Sequence, residues 1–431
     1  MNLNALVMQD DIAKVKTSLE DARQGCNDIY ELLMRKQLSV NDTKCKYMII
    51  GSKKQRNQAL KDLEKDPMMM GGKKINHAVN EKYLGDFVSE LGCKQSIDDT
   101  IKYRIQKLTS KANDILLIAD APQLGAEKTS TAAIKLFEAQ IVSGLLFNCE
   151  SWIGITQAQI DELQSFQDNF LKKLLHLPVS TPKAILHWDG GMEMMKWRIA
   201  KRKLMFMKKM MMANSSNICK KAILNEVIIG TKGLASECKE LGDELGIQDV
   251  RFCEVTKGEI NRAIRSLSWK NRREEMAGST KVGDRVSDDP KENSYMTYMT
   301  LNDSRLWMRV RARMMKGVKM NHKSSHRKDL SCSFCNGTME ESQEHLEEEC
   351  TGCDFERRTL KMHTLRGRQT FWRRMKAKIE EKIKKKKEKG EGVAAVAGVG
   401  RVIGEDRVVE QLVDDQLVVH SRRTMFDYAD R

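Results

Sequence analysis

The chain has 431 residues, room for two to four domains at roughly 100–200 residues each. Its 75 lysines and arginines exceed its 60 aspartates and glutamates, a formal net charge of +15 that favours a polyanionic partner. No stretch approaches the roughly 18 uncharged apolar residues of a membrane-spanning helix, and Asp10 and Asp11 stand where a signal peptide would carry its apolar core. A membrane or secreted protein is therefore not expected. The eleven cysteines, an odd number with no secretion signal, point to reduced thiols rather than a disulfide scaffold.

Residues 3–8 read as a short strand running into Gln9-Asp10-Asp11, and residues 12–15 as its hairpin partner. Over 18–37, Leu19, Ala22, Cys26, Ile29, Leu32 and Leu33 recur at helical spacing. Residues 44–50 alternate like a strand, and after a polar stretch the run 82–88 gives another candidate strand. Beyond residue 95 the pattern turns helical. Ile97, Ile101, Ile105, Leu108, Ala112 and Ile115 mark one long amphipathic helix. Residues 132–147 are apolar enough for burial nearly all round, and Ile160, Leu163, Phe166, Phe170, Leu174 and Leu177 form a further stripe that Pro178 and Pro182 should end. Residues 192–212 read as a helix with a basic face turned outward, carrying Lys201, Arg202 and Lys203 among its methionines. Residues 214–298 give weak signals. A second basic helix, 305–319, holds Arg309, Arg311 and Arg313. These six cations are candidate phosphate contacts, with Trp307, Phe371 and Trp372 as candidate stacking partners for unpaired bases. Residues 366–389 carry twelve basic residues against three glutamates, a net of +9, and Lys384–Lys387 also fit a nuclear address.

The most specific pattern is Cys332-x2-Cys335-x9-His345-x4-Cys350. A Cys-x2-Cys pair brings two thiolates onto one turn, and a later His and Cys close a tetrahedron around zinc with every position filled by protein, which is a structural rather than a catalytic arrangement. Cys353, His322 and His326 are alternative ligands. Adjacent carboxylates such as Asp10 and Asp11 at a hairpin tip can hold the divalent ions of phosphoryl transfer, or serve only as a solvated turn.

In order along the chain, these features resemble the C-terminal part of the reverse transcriptase of non-LTR (LINE-type) retrotransposons. The palm hairpin is matched by Val7-Met8-Gln9-Asp10-Asp11-Ile12, and a following motif by residues 38–44. Lys82-Tyr83-Leu84-Gly85 resembles the primer-grip region, Cys149-Glu150-Ser151-Trp152 and residues 163–182 resemble thumb and connection segments, and the cysteine pattern with Glu344-His345-Leu346 resembles the terminal knuckle. The resemblance spans about residues 3 to 360 and implies an α+β palm remnant (1–92), a mainly α-helical thumb and connection (93–215), a helical linker with a basic segment (216–320) and a small CCHC zinc knuckle (321–362); beyond it, composition alone predicts a basic helix and a poorly ordered tail (363–431). It implies catalytic roles for Asp10, the Mg²⁺ ligand, and Asp11, nucleotide or primer contacts at Lys44, Tyr83, Leu84 and Gly85, structural Zn²⁺, and RNA and DNA as partners in nucleus and cytoplasm, with no membrane and no small-molecule substrate beyond nucleotides. Because the chain opens eight residues before Gln9, where the family has fingers and an earlier palm aspartate, the expectation is a fragment truncated within the palm and inactive alone. The alternative expectation is a non-enzymatic, zinc-containing nucleic-acid-binding protein.

Overall fold

A two-residue connection forces the strands on either side of it to pair antiparallel. In the computed structural model β1 (Asn4–Gln9) and β2 (Ile12–Lys16) pair in this way, with Gln9 opposite Ile12. The structure describes residues 4–9, 12–16, 18–41, 45–83, 85–121, 130–247, 255–280, 282, 296, 299–315, 331–335, 339, 341–362 and 364–388. Asp10, Asp11, Lys44, Leu84, His322 and His326 lie outside the described residues. The chain divides into two compact units, Met1–Arg374 and Met375–Arg431.

In the first unit β1 also pairs antiparallel with β3 (Lys46–Ile50), and β3 pairs parallel with the short β6 (Asn76–His77), giving the order β2-β1-β3-β6. Helix α1 (Leu19–Arg35) starts where the Ser18 hydroxyl accepts the Asp21 N–H. Its stripe of Ala22, Cys26, Ile29 and Leu33 packs with Tyr47 and Ile49 of β3. Helix α2 (Lys53–Lys65) adds Ala59 and Leu63 to that core. Its sequence is too polar to show a stripe. Its capping box, Ser52 with Gln55, is the local signal that was there to be read.

Two-residue pieces β4 (Met69–Met70) and β5 (Lys73–Lys74) form a separate ribbon. The run 82–88, expected as one strand, is instead a hairpin of β7 (Asn80–Tyr83) and β8 (Asp86–Ser89). Gly85 makes the reversal possible, because its φ of +90° lies where a side chain is strained.

Helix α3 (Cys93–Asp120) follows the expected stripe. It packs with α4 (Ser130–Phe137), which runs through a π-helical turn (Glu138–Val142) into α5 (Ser143–Leu145), and with α6 (Gln157–Leu174). Ile101, Leu108, Leu145, Leu163 and Leu174 fill this core, with Phe137 stacked on Phe170 at 3.9 Å between centroids. Residues 132–147 are buried on one side only, since Ala139 and Gln140 are exposed and Phe147 is 55% exposed. Helix α6 ends ahead of the prolines: His176 turns left-handed at φ 51° and the Leu177 N–H returns to the Lys172 carbonyl. A buried cation fastens the β7–β8 turn to this bundle. Arg104 donates to the carbonyls of Gly85, Leu145 and Phe147 and pairs with Asp86 at 2.6 Å.

Next come α7 (Lys183–Asp189) and α8 (Met195–Met212). The described residues of the weak stretch 214–298 form the capped helices α9 (Ile218–Ile229), α10 (Leu234–Glu244) and α11 (Lys257–Ala277). With α8 they enclose Trp197, Leu204, Cys238, Ile260 and Ile264. Helix α12 (Leu301–Arg311) precedes the cysteine cluster, α13 (Asp354–Thr359) follows it, and α14 (Leu365–Glu388) carries the basic run across the boundary between the units. The described chain is thus mostly helical with small sheets, and none of its helices is long and apolar enough to cross a membrane.

Candidate metal centre

The four residues of the spacing pattern meet. Sγ of Cys332, Cys335 and Cys350 and a ring nitrogen of His345 all lie within 4.8 Å of one another. Cys332 and Cys350 Sγ are 3.6 Å apart, and Cys335 Sγ is 3.4 Å from His345 Nε2. A tetrahedral zinc site with bonds of about 2.3 Å to sulfur and about 2.0 Å to nitrogen has ligand-to-ligand edges of roughly 3.5–3.8 Å. The two measured edges match that figure within a few tenths of an ångström. Among the described residues no other group of three or more His, Cys, Asp or Glu side chains is disposed to hold a metal ion.

The local chain explains why these atoms converge. The Ser333 N–H and hydroxyl both donate to the buried Glu341 carboxylate, which holds the Cys332–Cys335 turn. His345 and Cys350 stand at the two ends of a π-helical turn (His345–Glu349) that the Cys350 N–H closes on the His345 carbonyl at 2.6 Å. The turn Thr351–Cys353 then lies against the first knuckle: a Cβ on Gly352 would sit 2.0 Å from the Phe334 carbonyl oxygen. Leu346 is fully buried.

Burial pushes the Cys332 thiol up to about 12 and the Cys350 thiol to about 11, while backbone N–H groups of Phe334, Cys335 and Gly352 point at these sulfurs and work the other way. Metal binding to such thiols must displace their protons. His345 turns Nε2 toward the cluster, and its buried Nδ1 lacks a hydrogen bond but has the Glu349 carboxylate at 3.5 Å, the kind of outer partner a metal-bound imidazole takes. The donor set fits zinc, and a zinc ion there supplies coordinate bonds where the segment has little apolar core. Cys353 is buried directly behind Cys350, outside the four-atom cluster.

The other anticipated residues fall differently. Gly85 sits at the β7–β8 turn with the Phe147 ring behind it, and Tyr83 ends β7. Of the six candidate phosphate contacts, five have internal partners. Lys203, 2% exposed, donates to the Trp152 carbonyl at 2.7 Å and pairs with Glu237. Arg202 donates to the Leu146 carbonyl, Arg309 to the His176 carbonyl, Arg311 pairs with the buried Asp189, and Arg313 lies 3.1 Å from Glu344. The basic face expected outward on α8 is therefore partly turned inward, because a cation removed from water needs a carboxylate or carbonyl beside it. Lys201 is half-buried. Trp307, Phe371 and Trp372 are core residues and present no ring to a base.

One buried network had no sequence signal. His187 of α7, protonated, donates at Nε2 to Asp168 of α6 at 3.1 Å and at Nδ1 to Glu275 of α11 at 2.9 Å. Burial alone lowers the imidazole's pKa, but the hydrogen bonds to Asp168 and Glu275 outweigh it and raise it to about 9. Both ring nitrogens are engaged, so the group is a charged clamp between three helices and not a general base.

No family model matches the chain, and no curated protein matches it either.

Proposed function

We propose that the chain is part of the reverse transcriptase of a LINE-type retrotransposon and that its own work is to hold RNA and DNA. The observation that carries this reading is the convergence of Cys332, Cys335, His345 and Cys350, at zinc-like separations, downstream of a helical region that itself follows an antiparallel hairpin joined through Asp10-Asp11. In this reading the ion is structural, and the exposed lysines of α14, Lys376, Lys384 and Lys385 among them, supply phosphate contacts. Polymerase chemistry belongs to an assembly in which carboxylates from another palm strand join Asp10 to hold Mg²⁺ at the primer 3′ hydroxyl. Tyr83 and Gly85, at the β7–β8 turn, would then face the primer end.

The alternative, a non-enzymatic zinc-containing nucleic-acid-binding protein, is favoured by the same closed set of four protein ligands, which leaves the metal no open position. Purified protein is expected to contain one zinc per chain, lost in Cys332→Ser, and to bind single-stranded RNA with an affinity that falls steeply between low and moderate salt as counterions are released. Salt-independent binding would remove the electrostatic part of both readings. Mg²⁺-dependent primer extension by residues 1–431, abolished in Asp10→Ala, would show a complete polymerase and discard the alternative.

A further inference from the structure

Glu347 is a buried carboxylate with no part in holding the metal. It stands in the middle of the π-helical turn whose two ends, His345 and Cys350, are ligands. π-helical turns are rare, and they recur where a helix is held in an otherwise unfavourable register by a functional demand. Here the register aims Glu347 away from the metal centre. Its Oε1 accepts the indole N–H of Trp372, and its Oε2 lies 3.3 Å from Arg368, both on the first turns of α14. Trp372 is fully buried, and these two contacts tie the ligand-bearing turn to that helix.

We propose that metal occupancy and the seating of residues 366–374 are one coupled equilibrium, with the π-helical turn as the coupling element and Glu347 as its positioning residue. An ion binding His345 and Cys350 clamps both ends of the turn. Without it, relaxation toward ordinary α-helical hydrogen bonding moves the residues between the ends by about 100° around the axis per residue of register, as 3.6 residues per turn requires. Glu347 then leaves Trp372 and Arg368, and a buried indole N–H and a guanidinium lose their acceptor, which drives the helix start off its seat. By linkage the seated helix must raise metal affinity by the factor that the metal raises seating. The consequence reaches past the knuckle, because α14 is the basic helix: Glu347 secures its first turns only while the metal is bound, which leaves Arg373 on Asp303 as a remaining polar anchor.

Because it rests on the metal reading above, the experiment measures zinc first. Full-length protein is titrated with zinc against a competing chelator while Trp372 emission is followed as the difference between wild type and Trp372→Phe, with hydrogen–deuterium exchange of residues 366–374 recorded in both metal states. Chelation is expected to red-shift the Trp372 component and to lower protection of 366–374. Glu347→Ala is expected to bind zinc about tenfold or more weakly, with both responses lost, the size seen for partners behind a metal ligand. Glu347→Gln keeps an acceptor for the indole and is expected to retain most of the Trp372 response, which a purely electrostatic role would not allow. Zinc binding with unchanged Trp372 emission and unchanged exchange overturns the coupling while leaving the metal centre standing. Failure to bind zinc at all overturns both.

Discussion

The metal segment, residues 331–362, and the helical bundle of α3 to α6 solve the same problem in opposite ways. The bundle orders itself by burying apolar side chains from distant parts of the chain, such as Phe137 on Phe170 and Leu108 beside Leu145. The metal segment is short, has few buried apolar side chains, and carries eight carboxylates against three cations, so it repels itself. The convergence of four ligands, with Arg313 on Glu344 and Arg368 on Glu347, offsets that. The same segment is acidic inside a chain of net charge +15, so its surface is poorly suited to nucleic acid and the basic α14 that follows is the better one. The first region is drawn together around four converging donors, the second around apolar contacts.

The largest expected effect separates the two dependences. Apparent zinc-linked folding energies in small metal modules are on the order of 10–16 kcal/mol, so chelation or Cys332→Ser should release the ligand-bearing turns of residues 331–362 from their fixed arrangement while leaving the bundle's exchange protection in place. Phe170→Ala should do the reverse. It removes one ring of a stacked buried pair, costs about 3–5 kcal/mol of bundle stability, and leaves zinc content unchanged. Loss of bundle protection on chelation, or loss of zinc in Phe170→Ala, would show that the regions are not separable in this way.

The metal ligands lie within 19 residues of one another, and coordination chemistry ties their identity to their spacing, so Cys332 to Cys350 could be found by eye. Helices α1, α3 and α6 were equally visible, because one buried face leaves a period of 3.6 in the side chains. Helix α2 was hidden by its polarity, and the helices within 214–298 by apolar residues that stand exposed, as Ile218, Val227, Ile228 and Ile229 do on α9. Arg202, Lys203, Arg309 and Arg311 looked like solvated cations because nothing local announces Glu237 or Asp189 as partners. Their partners, those two carboxylates and the carbonyls of Leu146 and His176, lie tens of residues away or more, and only the tertiary fold brings them near.

A next test, of intermediate size, concerns a charged clamp that resembles a metal site in tying distant elements through polar bonds. His187 is held protonated between Asp168 and Glu275, with a pKa raised from 6.5 to about 9. A raised folded-state value means that the stabilisation is fully present below about pH 6.5 and is lost as pH rises through about 9. The shift corresponds to about 3 kcal/mol. Bundle stability, followed by denaturant melts, should therefore decline between neutral pH and about pH 10, and His187→Gln should flatten that decline while lowering stability overall. A decline of equal steepness in the variant would place the alkaline sensitivity elsewhere.

The smallest effect probes the metal segment without touching a ligand. Gly352 has room for no side chain: an added Cβ would meet the Phe334 carbonyl oxygen at 2.0 Å and its carbon at 2.5 Å, and both are backbone atoms that cannot rotate aside. In Gly352→Ala the turn after Cys350 must therefore draw back from the Cys332–Cys335 turn, and the ligand tetrahedron opens along the edge where Cys332 and Cys350 now stand 3.6 Å apart. All four donors remain, so zinc still binds, but about tenfold more weakly, a cost near 1.4 kcal/mol. The bundle should not respond, since no apolar contact in it changes. Wild-type zinc affinity in Gly352→Ala would mean that the two turns need not touch to bind the ion, and that the convergence depends on the π-helical turn alone.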